Sequence, residues 1–221
     1  MSYIINKYLS SNINELRLGQ SCAISNNFFV AGAYTDPSIY TNAGSAYIYN
    51  LSTISSNIIT AQNTNGTLDV QSSAQFGWSC AISNNFLIIG ACTYSLSSYS
   101  NEGVAYLYKN NGSKWSILQR ITAQNNDGSS AVISGAYFGR SCAISENFLV
   151  ICASNENSNS GAVYIYKNNG ITWSILQRIT AQNSDGSSNI TNNSNFGSSC
   201  AISGNFLVIC STNYKYTTFT S

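Results

Sequence analysis

Histidine is absent from this 221-residue sequence, and charge is scarce: nine Lys and Arg against eight Asp and Glu, 8% of the chain. The first absence excludes Ser-His-Asp and Cys-His catalysis, His-ligated zinc and the commonest general base. The second leaves a net charge of +1, too little for an electrostatic footprint on DNA, RNA or an anionic membrane. The carboxylates (Glu15, Asp36, Asp69, Glu102, Asp127, Glu146, Glu156 and Asp185) are scattered and form no DxDxDG calcium loop. No apolar run approaches the ~20 residues that span a bilayer. The N-terminus lacks the basic and apolar regions of a secretory signal. The expectation is a chain that is not an enzyme and carries no cofactor or metal.

Hydrophobic residues make up 43% of the chain, and Ser, Asn, Thr and Tyr stand where charge is usual. This describes a folded, neutral-polar protein rather than a disordered one. The same Asn/Ile/Tyr/Ser-heavy usage suggests an AT-rich genome, such as that of a large DNA virus or a protist.

One phrase recurs four times: LGQSCAIS from Leu18, FGWSCAIS from Phe76, FGRSCAIS from Phe138 and FGSSCAIS from Phe196. The glycines, Gly19, Gly77, Gly139 and Gly197, lie 58, 62 and 58 residues apart. That period suits a four-stranded propeller blade with long loops. Within each unit a two-residue step such as Asn84-Asn85 separates SCAIS from an apolar run such as Phe86–Gly90. A polar loop, a Gly-opened strand such as Gly103–Tyr108, an Asn-Asn-Gly turn and a strand such as Trp115–Thr122 follow. Short β-rich runs broken by Asn and Gly predict antiparallel hairpins. The fold class expected is all-β, a β-propeller over 1–221 as a single domain, with blades starting near 18, 76, 138 and 196. Residues Tyr3–Ser10 align with the fourth strand of a unit, and the last unit ends at Tyr214–Phe219 where a third strand belongs. The N-terminal strand is therefore expected to close a ring of about four blades by pairing with the C-terminal blade, which removes two sheet edges. Sharing that strand between two chains gives an eight-bladed dimer instead.

The pattern FG-x-S-x-A-I-S…F-L-V-I-G-A…G-A-V-Y-I-Y…W…Q-x-I-T-A resembles the FG-GAP repeat of the integrin α-subunit type β-propeller. The resemblance implies a Phe packed between sheets and a Gly admitting close backbone approach. It also implies a ligand surface built from the loops between blades. The calcium loop of that family has no counterpart here, because Ser25–Phe28, Ser83–Phe86, Ser145–Phe148 and Ser203–Phe206 lack the six or more oxygen ligands required. Asn110-Asn-Gly112 before Trp115 and Asn168-Asn-Gly170 before Trp173 resemble the Asp-box hairpin of sialidase-type propellers. The arginine cluster of a sialidase is missing, so only the turn is expected.

Cys22, Cys80, Cys142 and Cys200 share one repeat slot, and Cys152 and Cys210 share another. Cysteine locked to repeat phase reads as a small buried hydrophobe, and an odd count of thiols without an export signal favours a reducing compartment or a virion. Strand alternation puts the long, divergent 2–3 and 4–1 loops on one face, where function concentrates in scaffolded folds. Tyr34, Asp36, Tyr40, Tyr94, Tyr99, Glu102 and Tyr137 are the candidate ligand-binding residues on that face. Asp127-Gly128 and Asp185-Gly186 read as turns. The expected role is a recognition scaffold for a protein or glycan ligand, with homo-oligomer formation open; the alternative is a self-assembling structural subunit.

Overall fold

The Asn-Asn, Glu-Asn and Gly-Asn steps reverse the chain within two residues because their first member takes left-handed backbone: Asn26, Asn84 and Glu146 at φ 51, 51 and 48, and Gly204 at φ 54. A computed structural model describes residues 17–96 and 100–213. The first sheet is β1 (Leu18–Ser25), β2 (Phe28–Ala33), β3 (Ser45–Asn50) and β4 (Ser55–Ile59). The second is β5 (Phe76–Ser83), β6 (Phe86–Ala91), β7 (Val104–Asn110) and β8 (Trp115–Ile121). The third is β9 (Ser141–Ser145), β10 (Phe148–Ala153), β11 (Ala162–Asn168) and β12 (Trp173–Ile179), with one short turn, α1 (Glu156–Asn159), between β10 and β11. A fourth sheet holds β13 (Phe196–Ser203) and β14 (Phe206–Ser211). Each sheet is an antiparallel meander in chain order. The Asn-Asn-Gly turns close on themselves, with the Asn110 and Asn168 side-chain oxygens each accepting from a glycine N–H two residues on, at 2.8 Å.

Successive sheets bury one another's faces. Val30, Ala46 and Ile48 of the first pack on Cys80, Ile82, Leu87 and Ile89 of the second. Ile88, Ala105 and Leu107 of the second pack on Cys142, Ile144, Leu149 and Ile151 of the third. Val150, Cys152 and Val163 of the third meet Cys200, Ile202, Leu207 and Ile209 of the fourth. The strands are therefore apolar on both sides in the middle sheets and period-two amphipathic in the fourth, where β14 alternates exposed and half-buried. Phe76 and Phe138 are fully buried and set edge-on to Tyr106 and Tyr164, at ring-centroid distances of 5.4 and 5.2 Å.

The described residues form an open series of four sheets, not a closed ring. Both segments on which the expected closure depends, Tyr3–Ser10 and Tyr214–Phe219, lie outside the described residues. The cysteine reading holds for part of the set. All seven are free thiols; Cys80, Cys92, Cys142 and Cys152 are buried, whereas Cys22 and Cys210 are exposed because they lie on the outer faces of the first and fourth sheets. Burial pushes the Cys80 thiol up to about 11 and the Cys92 thiol up to about 12. The four buried thiols are expected to stay inert to Ellman's reagent at pH 8 until denaturant is added, since the thiolate is the reactive form. Rapid native labelling of Cys80 or Cys142 would contradict the packing described.

Candidate functional site

The long loops meet through backbone. At each junction the end of a 4–1 loop runs beside the end of the preceding 2–3 loop. Ser73, Gln75 and Phe76 donate to the carbonyls of Thr41, Asn42 and Ala43 at 2.8, 3.1 and 2.9 Å. Gly135, Tyr137 and Phe138 repeat this on Ser100, Asn101 and Glu102, and Asn193, Asn195 and Phe196 on Ser158, Asn159 and Ser160. The residue before each Phe-Gly holds left-handed backbone, at φ 57, 56 and 53 for Gln75, Tyr137 and Asn195. For a bulky Tyr137 that conformation is uncommon, and it sets the ring beside the residue three positions on.

A bulge then exposes the slot after Phe-Gly. In the second sheet Phe76 pairs with Ala91 and Ser79 with Gly90, so Gly77 and Trp78 stand out of the ladder. Trp78 joins Arg17, Tyr34, Arg140 and Tyr137 in a chain of cations and rings across three sheets. The Arg17 guanidinium lies 5.5 Å from the Tyr34 ring and donates to its hydroxyl. Tyr34 meets Trp78 edge-on at 4.7 Å. Arg140 lies 5.6 Å from the Trp78 ring and equally far from Tyr137. Each such contact contributes roughly 0.5–1 kcal/mol when exposed. Tyr34 is buried, while Trp78, Tyr137 and Arg140 are half-buried and present an edge to solvent. Sequence reasoning missed Trp78 and Arg140. The signal was the variable third position of the phrase (Gln20, Trp78, Arg140, Ser198), set beside a glycine present in all four copies.

Beneath this face each complete sheet braces its loops with a carboxylate, buried in the first and third sheets and half-buried in the second. Asp36 accepts from the Ser38 N–H at 2.9 Å, from the Ser38 and Ser45 hydroxyls, and from Tyr47 at 3.3 Å. Burial would raise its carboxyl, but the bonds from Ser38 and Ser45 outweigh it and hold it below the ordinary value. Glu156 fills the same repeat slot in the third sheet, accepting from Tyr164 at 2.6 Å and pairing with Arg178. In the second sheet that slot is Tyr94, and the carboxylate comes instead from the 4–1 loop. Asp69 accepts from Tyr94 at 2.7 Å and Tyr106 at 2.8 Å and pairs with Arg120 at 2.6 Å. Burial together with Asp69 pushes the Tyr94 phenol up.

The candidate ligand-binding residues thus take different places. Tyr34 and Tyr137 join the cation–ring chain. Asp36 and Tyr94 are buried in the braces. Glu102, also buried, accepts from the Leu96 N–H at 3.2 Å. Tyr40 is 55% exposed at a loop tip, and Tyr99 lies outside the described residues. Asp127 and Asp185 form the expected turns, each accepting from a serine N–H two residues on at 2.9 Å. Among the described residues no three or more Cys, Asp or Glu come together to hold a metal ion, and no helix is long and apolar enough to cross a membrane.

Comparison with known proteins adds a family match over part of the chain. The FG-GAP repeat model matches residues 67–108 and 115–166. No curated protein matches the chain. Among solved structures, a chain of the S. cerevisiae complex of Dbp5 with Nup159, Gle1, IP6 and ADP is similar at 12% identity, over 72% of this chain and with a TM-score of 0.37. The match spans only 36% of that chain's length.

Proposed function

From a chain that carries FG-GAP repeats, we propose a non-enzymatic propeller-type scaffold, to which each chain supplies about four blades, that recognises a protein or glycan through the face where its 2–3 and 4–1 loops meet. The observation that carries this reading is the cation–ring chain from Arg17 through Tyr34, Trp78 and Arg140 to Tyr137. Rigid aromatic and guanidinium groups give contact area at small entropic cost. These are held from below by braced loops, which is how a preorganised surface is built. A sugar ring or a peptide side chain docked here would meet the exposed edge of Trp78 beside the donors of Arg140, whose guanidinium lies over the indole. The chemistry favours ligands with a planar or CH-rich face and a carboxylate or carbonyl edge.

The experiment is a glycan array and an immobilised-protein screen with the wild-type chain, then the same ligands against Trp78→Ala and Arg140→Ala. A tenfold or greater loss of affinity in both variants, with thermal stability unchanged within a few degrees, supports the reading. Equal binding by wild type and both variants, or no ligand in either screen, removes this face from consideration.

A further inference from the structure

The three internal junctions share one hydrogen bond and one apolar packing scheme, and both outer ends of the series carry half of one more. Asn84, Glu146 and Gly204 each donate their N–H to a serine hydroxyl of the preceding sheet (Ser25, Ser83 and Ser145) at 3.1, 3.2 and 3.2 Å. The Ser21 and Ser79 hydroxyls donate to the Gly77 and Gly139 carbonyls of the following sheet at 3.0 and 2.7 Å. Residues in the slots of Ile82 and Ile144 point back at the preceding sheet, each 7% exposed. Those in the slots of Ile88 and Val150 point forward and are fully buried.

At the open ends the same slots are bare. Ile24, equivalent to Ile82, is 66% exposed, and Val208, equivalent to Val150, is 61% exposed. Phe206 is 81% exposed, although its counterpart Phe86 sits edge-on to Trp173 of the next sheet at 5.3 Å. Ser203 and Asn26 occupy the acceptor and donor positions of the inter-sheet hydrogen bond. The outer face of the first sheet and that of the fourth are complementary, and among the described residues they do not cover one another.

We infer that a second copy of this chain docks head to tail, its first sheet on the fourth sheet of the other, through a continuation of the inter-sheet interface. Such contact is heterologous, so it closes into a ring or propagates according to its rotation. The thiols make the register testable. Cys152 of the third sheet and Cys200 of the fourth pack in the same inter-sheet cluster. By repeat equivalence Cys210 of one copy faces Cys22 of the next, and both are exposed in the single chain. The glycines Gly32 and Gly90, which stand in the Cys152 slot at the first two junctions, have no such partner.

The test is oxidation with diamide, in which two thiols lose two protons and two electrons to form one disulfide and the diazene is reduced to the hydrazine. Wild-type chain is expected to give dimers and longer species on non-reducing gels, with Cys22–Cys210 the linked peptide. Cys22→Ser or Cys210→Ser alone abolishes that link, whereas an equimolar mixture of the two variants restores one dimer and nothing longer. Native mass of the unoxidised chain rises with concentration, and Phe206→Asp returns it to monomer. A Cys22–Cys210 link within one monomer overturns the proposal in favour of self-closure. A monomer at all concentrations with no such link overturns it outright.

Discussion

Replacing Glu156 by Ala is expected to lower stability by about 3 kcal/mol, near the lower bound for removing one partner of a buried ion pair. The Glu156 side chain is completely buried while that of Arg178 is 24% exposed, so water reaches the abandoned guanidinium and trims the cost. Tyr164 loses its acceptor as well, and its ring is fully buried. For a chain of this size the loss corresponds to a melting temperature lower by about 6–12 °C. Glu156→Gln keeps an acceptor for Tyr164 and should lose less. Glu156→Leu with Arg178→Met, which removes both charges, should come closer to wild type than Glu156→Ala. Thermal melts of the three decide it. A Glu156→Ala protein within a degree of wild type would mean that the pair does not brace the third sheet.

Gly90→Ala is expected to cost about 3 kcal/mol or more, the upper end for overpacking. A Cβ at Gly90 would fall inside the Gly139 carbonyl, a backbone group of the next sheet that the Ser79 hydroxyl also binds. The Ser79 hydroxyl can turn aside, but the Gly139 carbonyl is backbone, so the second and third sheets must part. Gly32 meets the Gly77 carbonyl in the same way. The control is Gly66→Ala, which has open space around it but φ +84, and should cost only about 1 kcal/mol. Denaturant midpoints for the two variants separate close approach from backbone strain. Equal losses would show that crowding at the junction is not what selects glycine.

The sequence made the strands legible because each hydrophobic run was bounded by a turn whose residues have a mechanism. Asn-Asn and Asn-Asn-Gly fell where the hairpins are, and Asp-Gly at tight turns of the loops between sheets. The four-sheet series followed from the Phe-Gly phase alone. What stayed hidden depended on pairing across repeats. Nothing local marks Tyr94 as the substitute for a carboxylate, or Asp69 as the acid that arrives from another loop to complete its brace. Both become visible only when Asp36, Tyr94 and Glu156 are aligned in one slot. Exposure misled in the opposite direction: Asp36, Tyr94 and Glu102, read as surface groups, lie inside the loops they stabilise. Polar residues in long loops are as often their internal scaffolding as their outward chemistry.

The likeness of the three junctions bears on how such a chain lengthens. In most domains an inserted segment must find new neighbours, and the old ones must tolerate it. Here each junction joins a forward face to a backward face through the same serine-to-backbone hydrogen bond, and a unit of about 60 residues brings one of each. Duplicating a unit therefore adds a junction without requiring that one be invented. It leaves the two end faces as they were, so copy number is free to drift while the contact chemistry is conserved.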